Sequence, residues 1–237
     1  MSVVAAGEIE RRRAAILEAV ARAAAARGRG PEAVTLMAVT KGQSAETVRN
    51  GARAGLTLFG ENRVQEGREK IDALRAELPH AEWRLIGPLQ TNKARTALQY
   101  FQVLESLDRE RLAMRLESLL AAEDRILPVL VEVNLAEEPS KSGVLPPGAP
   151  RLLEAALACP HLDVRGLMAV PPYDEDPEKS RPYFRALVAL RDSLSTRFAR
   201  PFPELSMGMS HDYAVAVEEG ATEIRVGTAL FGPRGLA

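Results

Sequence analysis

The feature that most constrains this chain is a repeated alternation. Eight short apolar or β-branched runs recur, at 34–39, 56–59, 83–86, 100–104, 128–134, 163–169, 204–206 and 223–226, and the stretches between them carry helical apolar spacing or helix start and stop signals. No tandem hairpin signal joins any two runs. Parallel neighbours need a crossover long enough to hold a helix, so this order predicts a parallel sheet interleaved with helices. Eight units in 237 residues predict an α/β fold of the (β/α)8 TIM-barrel type, which typically takes about 250 residues. An alanine-rich segment from Gly7 to Arg27, stopped by Gly28-Arg29-Gly30-Pro31, precedes the first run and predicts an extra N-terminal helix. A doubly wound open sheet satisfies the same alternation. Its best-marked functions lack their signatures here: there is no Gly-x-Gly-x-x-Gly after the first strand, no Walker loop and no Gly-x-Ser-x-Gly elbow. No compositional shift divides the chain, so residues 1–237 are expected to form one domain.

Charge and cysteine content remove several functional classes. Lys+Arg is 31 against 32 Asp+Glu, a net charge of -1, which argues against nucleic acid as a partner. With 46% hydrophobic and 27% charged residues the chain can bury a core, which rules out disorder and collagen-like structure. The lone Cys159 cannot form an internal disulfide, and His80, His161 and His211 are scattered without metal-ligand spacing. The N-terminus lacks signal-peptide order and no apolar run reaches the roughly 18 residues of a membrane span, so a soluble cytoplasmic protein without a membrane partner is expected. Lysine is scarce: Lys41, Lys70, Lys93, Lys141 and Lys179 are the only five. A lysine beside a strand end therefore stands out.

In a parallel barrel the strand C-termini and the loops after them form the active face. Those positions hold Lys41, Gly60-Glu61-Asn62, Gly87-Pro88-Leu89-Gln90-Thr91-Asn92-Lys93, Asn134, Ser206-Met207-Gly208-Met209-Ser210 and Gly227-Thr228. Lys41 follows the first run directly, and its stem can carry an amine across the barrel mouth. A lysine whose pKa falls below the usual ~10.4, through burial or a neighbouring cation, attacks an aldehyde to give a Schiff base. Ser206 to Asp212 brings glycine and hydroxyls to a helix start, and Arg225-Val226-Gly227-Thr228 closes the last strand. Barrels commonly hold phosphate between the loops after strands seven and eight. Each feature alone has an ordinary structural reading, as a rim lysine, a helix cap at Ser210 or strand-end packing at Gly227. Together they point to a phosphorylated aldehyde.

Other polar residues read as structural. Glu61 and Glu66 fall at an expected helix start and read as solvated. His211 and Asp212, as sequence neighbours on a helix, are not expected to face each other. Asp174-Glu175-Asp176 reads as an exposed loop rather than a metal site, and Trp83 as core.

Seven segments carry a family likeness. They are Ala38-Val39-Thr40-Lys41, the stretch from Phe59 to Glu66, the stretch from Leu85 to Lys93, Ser140-Lys141-Ser142-Gly143, Gly166-Leu167-Met168, the stretch from Leu205 to Ser210, and the stretch from Arg225 to Gly232. In this order, over nearly the whole chain, they resemble the pyridoxal phosphate homeostasis proteins. The resemblance implies a barrel related to the N-terminal domain of alanine racemases, with pyridoxal 5'-phosphate on Lys41 as a Schiff base. It also implies Ser210, Gly227 and Thr228 as phosphate ligands, Asn62 near the cofactor ring, and Arg225 near the pyridine nitrogen. A guanidinium there disfavours protonation of the ring nitrogen and weakens the ring as an electron sink. Three positions depart from the family pattern: Thr40 and Thr91 stand where relatives carry serine, and Gly42 replaces a larger polar residue. None of them is a proposed ligand.

The resemblance also separates two functions. Alanine racemases add a β-rich domain whose tyrosine is the second base, and here the sequence ends soon after the eighth run. Two-base racemisation needs an acid/base group on each face, and only Lys41 is evident. A non-catalytic carrier is therefore expected, holding pyridoxal phosphate, limiting the free aldehyde and passing it to apo-enzymes. The alternative is a PLP-dependent racemase or related enzyme. Lys93 and Lys141 lie in family-like segments and read as solvated loop lysines.

Overall fold

The computed structural model describes residues 3–138 and 141–233. In chain order they form α1 (Ala6–Ala25), β1 (Thr35–Val39), α2 (Ala45–Arg53), β2 (Leu58–Glu61), α3 (Val64–Leu74), β3 (Glu82–Leu85), α4 (Ala94–Tyr100), β4 (Val103–Leu107), α5 (Glu110–Leu120), β5 (Leu127–Glu132), α6 (Ala149–Leu157), β6 (Leu162–Met168), α7 (Arg181–Phe198), β7 (Glu204–Ser206), α8 (Tyr213–Glu218), β8 (Glu223–Val226) and α9 (Thr228–Phe231). Every strand pairs in parallel with its neighbours, and β1 pairs with both β2 and β8, closing the sheet into an eight-stranded barrel. The closed ring excludes the open-sheet alternative.

The apolar runs fill the space between barrel and helices. Ile9, Ile16 and Val20 bury one stripe of α1, which packs on α2 and α8, and Arg12 Nη1 donates to the Leu230 carbonyl at 3.1 Å to fasten α1 to α9. Ser44 caps α2 as its sequence predicts, accepting the Thr47 amide at 3.2 Å. Trp83 is buried against Phe59, with ring centroids 5.0 Å apart.

Two strands lie further along the chain than their apolar runs suggest. The fourth was expected over Tyr100–Leu104, but Tyr100 ends α4 and β4 runs on through Glu105 and Ser106 to Leu107. The second was expected to stop at Phe59 and continues to Glu61. The overlooked Glu61, Glu105 and Ser106 are polar yet fully buried and are held by partners elsewhere in the barrel, although Glu61 Oε2 has no hydrogen-bond partner in the protein. Ser106 Oγ donates to the Gly87 carbonyl at 2.6 Å, and Glu105 takes the Ser206 hydroxyl at 2.6 Å and Arg84 Nη1 at 3.3 Å.

Candidate functional site

At the C-terminal end of the strands lies a cavity of about 930 Å³. Lys41, Asn62, Ser210, Arg225, Gly227 and Thr228, six residues spread over the chain, all line it. The register explains part of this. Ala38 pairs with Val226, so Gly227 lies against β1, and a Cβ added there would stand 3.3 Å from the Val39 carbonyl oxygen. Lys41 follows two residues later in the loop above the same strand pair.

One carrier of charge and one hydroxyl are firmly oriented. Arg225 is 4% exposed; its Nη1 donates to Ser206 Oγ at 2.7 Å and its Nη2 to the Ala169 carbonyl at 2.8 Å. Ser210 was read as a possible helix cap, but α8 is preceded by Asp212. Ser210 Oγ instead accepts the amides of Gly227 and Ala229, each at 3.2 Å, and ties the loop after β7 to the start of α9. Both lone pairs of that oxygen are thus engaged, which leaves its O–H as a donor. Asn62 follows β2, and the loop after β3 closes on it: a Cβ on Gly87 would lie 2.2 Å from the Asn62 carbonyl oxygen.

The loop that carries Lys41 is clamped from behind. Lys70, 6% exposed, donates to Glu61 Oε1 and Glu66 Oε1, each at 2.7 Å, and to the Thr40 carbonyl. The Thr40 hydroxyl donates to Glu61 Oε1 at 2.6 Å, and the Gly42 amide donates to Glu66. Gly42 has φ +71°, a left-handed conformation that glycine adopts without steric cost. Glu61 and Glu66 are therefore not the solvated pair that their sequence position suggests. Burial raises the Glu61 pKa despite the opposing pull of Lys70, whereas Lys70 and the Gly42 amide overcome desolvation at Glu66 and lower its pKa.

Of the remaining polar residues, Lys93 and the acidic segment at 174–176 are exposed as their sequence suggests, whereas Lys141, His211 and Asp212 differ from their sequence reading. Lys93 is exposed and is not among the cavity-lining residues, whereas Lys141 lines the rim and pairs with Glu138 at 2.8 Å. Ser140 of the same segment lies outside the described residues. His211 and Asp212 were not expected to face each other, yet they sit in a turn rather than a helix, and Nε2 approaches Oδ2 to 3.5 Å. Asp174, Glu175 and Asp176 are exposed. Among the described residues no group of three or more His, Cys, Asp or Glu could hold a metal ion, and no helix is long and apolar enough to cross a membrane.

The sequence profile described as "Alanine racemase, N-terminal domain" matches residues 14–235. A pyridoxal phosphate homeostasis protein of Aquifex aeolicus (strain VF5) is 43% identical over 219 residues, 92% of this chain and 95% of the relative. The chain belongs to the pyridoxal phosphate homeostasis protein family. The member from Escherichia coli (strain K12) is 37% identical over 93% of this chain and 94% of its own. Among solved structures, PipY of Synechococcus elongatus PCC7942 with PLP bound matches with a TM-score of 0.83 and 35% identity, over 94% of this chain and 100% of that one. Alanine racemase from Corynebacterium glutamicum shares the fold, with a TM-score of 0.70 at 16% identity, covering 99% of this chain and 63% of that chain.

Within this family barrel, sequence reasoning set His211 aside and passed over Tyr173 and Glu132, all of which line the cavity. Tyr173 packs against His211 in a tilted arrangement with ring centroids 4.8 Å apart, and both line the cavity. No periodicity marks them, because they lie in loops. The third is Glu132, the last residue of β5, which is 6% exposed. Its Oε1 accepts the Ser142 hydroxyl at 3.1 Å, and its Oε2 is buried with no hydrogen-bond partner in the protein. Burial pushes the carboxyl up to about 7, helped by Asp108 and opposed by Ser142 and Arg225. Its signal was available as a charged residue within a mostly apolar run.

Proposed function

We propose that this chain binds pyridoxal 5'-phosphate at the barrel mouth through a Schiff base to Lys41, as one barrel domain. It serves in the cytoplasm as a non-catalytic carrier that limits the free aldehyde and delivers it to apo-enzymes. The observation that carries this reading is the convergence of Lys41, Asn62, Ser210, Arg225, Gly227 and Thr228 on a single cavity. The names of the relatives and the PLP held by PipY support the choice of ligand.

The donor set fits that ligand. An amine stands at the end of β1 for the aldehyde, hydroxyl donors at Ser210 and Thr228 suit a phosphate, and the buried guanidinium of Arg225 faces the cavity between its anchors. When bound, the group supplies imine chemistry at its aldehyde and an electron sink in its ring. The protein's part is to hold and to restrain. Ser210 donates its remaining O–H to the phosphate, beside a glycine whose missing side chain leaves the backbone accessible. Arg225 keeps a fixed positive charge near the ring nitrogen and so resists its protonation, which blunts the ring as a sink for carbanions. That arrangement supports holding without turnover.

Reconstitution tests it directly. The chain loaded with pyridoxal phosphate is expected to absorb in the visible, and the band to vanish in Lys41→Ala. Borohydride reduction followed by peptide mapping should place the added mass on Lys41. Amino acids offered to the loaded protein should take up no solvent deuterium at Cα. Saturable deuterium uptake would establish an enzyme instead, and a label on another lysine would refute the Lys41 assignment.

A further inference from the structure

A carboxyl group facing the cavity has no task in the function above. Glu132 and Leu130 share one face of β5, and the strand ends where that face meets the cavity. Glu132 is held by its backbone as well as by Ser142: its carbonyl accepts the Val144 amide at 2.8 Å, and Asn134 Nδ2 donates to the Glu138 carbonyl at 2.9 Å to fold the following loop back over it. The side chain is therefore fixed, 6% exposed, with one oxygen satisfied and the other unpartnered. An unpaired buried carboxyl oxygen costs stability, and a donor brought into the cavity beside Glu132 would relieve that cost.

We propose that Glu132 is the proton-exchange group of this cavity, taking a proton from a primary ammonium that enters it so that the incoming amine can displace Lys41 from the aldehyde. The inference rests on the Lys41 reading and deepens it: the ligand class is a primary amine, whether an amino acid or a lysine side chain of a recipient protein. The incoming nitrogen arrives protonated and carries no free electron pair. Glu132 Oε2 accepts one proton, and the freed pair forms the new C–N bond. The bond from that carbon to Lys41 Nζ breaks with its electrons left on Nζ, and the protons shed by the incoming nitrogen finish on Nζ, one of them returned by Glu132. The net change is ammonium plus lysine imine to new imine plus lysine ammonium, with no oxidant or reductant required.

The surroundings suit a group that both takes and returns a proton near neutral pH. Desolvation holds the carboxyl up to about 7, Asp108 after β4 adds to the rise, and Ser142 in the loop after β5 and Arg225 in β8 oppose it. Lys141 from the same loop and His211 from the turn before α8 line the cavity as well, so either could contribute charge. A general base with a pKa near the working pH is the most effective kind, and such assistance is typically worth ~10²–10⁴-fold.

The test is the rate at which methylamine discharges the loaded native protein, followed by the change in visible absorbance between pH 5.5 and 9. With Glu132 as base, the rate at fixed total methylamine rises through a step centred near 7 and then levels, because the ammonium is the reacting form. Without a base only the free amine reacts, and the rate climbs tenfold per pH unit without levelling. Glu132→Gln, which retains an oxygen for the Ser142 hydroxyl, is expected to lose the step and fall by at least ~10-fold at pH 7, with Glu132→Asp restoring part of it. A native profile without the plateau overturns the proposal, and that measurement needs no variant to fold. A step kept in Glu132→Gln and lost in His211→Asn also overturns it. Absence of any visible band after reconstitution, before amine is added, overturns the Lys41 reading itself and this inference with it.

Discussion

Lys70→Met tests whether the charged clamp behind Lys41 is a determinant of the fold and of the site. The substitution keeps most of the aliphatic stem and removes three hydrogen bonds, to Glu61, Glu66 and the Thr40 carbonyl. Three bonds to a charged donor at ~1.5–3 kcal/mol each set a ceiling near ~9 kcal/mol. Removing one partner of a buried pair costs ~3–5 kcal/mol, and this lower range applies because Glu66 can rehydrate whereas Glu61 cannot. For a chain of this length each kcal/mol moves Tm by roughly 2–4 °C, so a fall of about 6–20 °C is expected. The loss depends on pH. Glu61 is already raised by burial, and without Lys70 it is raised further. Protonation then relieves the stranded charge, so the deficit is largest well above the folded-state pKa and shrinks as pH falls through it. Urea unfolding of both proteins at pH 8 and pH 5 measures this, and Glu61→Gln combined with Lys70→Met should recover much of the deficit at pH 8. Because Thr40 and Gly42 flank Lys41, the variant should also discharge pyridoxal phosphate faster. A deficit below ~1 kcal/mol at pH 8, or one that is equal at the two pH values, refutes the reasoning.

Three further outcomes follow from single positions. Glu132 is raised from the usual 4.5 to about 7, so the native protein loses stability as pH rises through that window, by up to ~3 kcal/mol at ~1.36 per unit; Glu132→Gln should lack this slope when unfolding is compared at pH 5 and 8. Gly87→Ala forces a methyl to within 2.2 Å of the Asn62 carbonyl oxygen and should cost ~1–3 kcal/mol in thermal unfolding while weakening cofactor retention through the displaced Asn62 loop. Ala199, with φ 48° at the end of α7, holds a left-handed conformation that favours glycine, and Ala199→Gly should stabilise by ~0.5–1 kcal/mol, read as a small rise in Tm.

The barrel was legible because its evidence is local: each apolar run and each helix between runs is visible within a dozen residues. Lys41 was legible for the same reason, standing alone at the end of the first run. Seen only in isolation, Glu61, Glu105 and Ser106 look like surface residues, because what makes their burial tolerable comes from distant parts of the chain. Glu105 needs Arg84 and Ser206, 21 and 101 residues away, and Glu61 needs Thr40, 21 residues back. The polarity of Glu105 cut β4 short, and Gly60 cut β2 short. Glu132 escaped notice as a site residue because the apolar run extends to Asn134 and sets it inside the strand; the structure ends β5 at Glu132, and only the closed ring brings it to the cavity that Lys41 and Arg225 share.

The floor beneath that cavity decides how freely Arg225 can respond to a ligand. Ser206 Oγ lies 2.7 Å from Arg225 Nη1, 2.6 Å from Glu105 Oε2 and 2.9 Å from Glu223 Oε1. A hydroxyl has one proton and two lone pairs, and the guanidinium can only donate. Ser206 can give its proton to one carboxyl, and the second must then supply a proton of its own. One of the two glutamates is therefore neutral, in keeping with Glu223, whose pKa burial and the adjacent Glu105 carry well above the ordinary range. Beyond them Arg84 Nη1 closes the chain, 2.9 Å from Glu223 and 3.3 Å from Glu105. Two arginines and a shared proton thus offset two carboxyls inside a ring of strands, with Ser206 bonded to Arg225 and to both glutamates, and Arg225 held in addition by the Ala169 carbonyl. Swinging Arg225 away would strand Ser206 and a carboxylate together, which opposes the motion more strongly than a single exposed ion pair would. The guanidinium is accordingly a fixed element of the cavity, held from below by Ser206 and from the side by the Ala169 carbonyl.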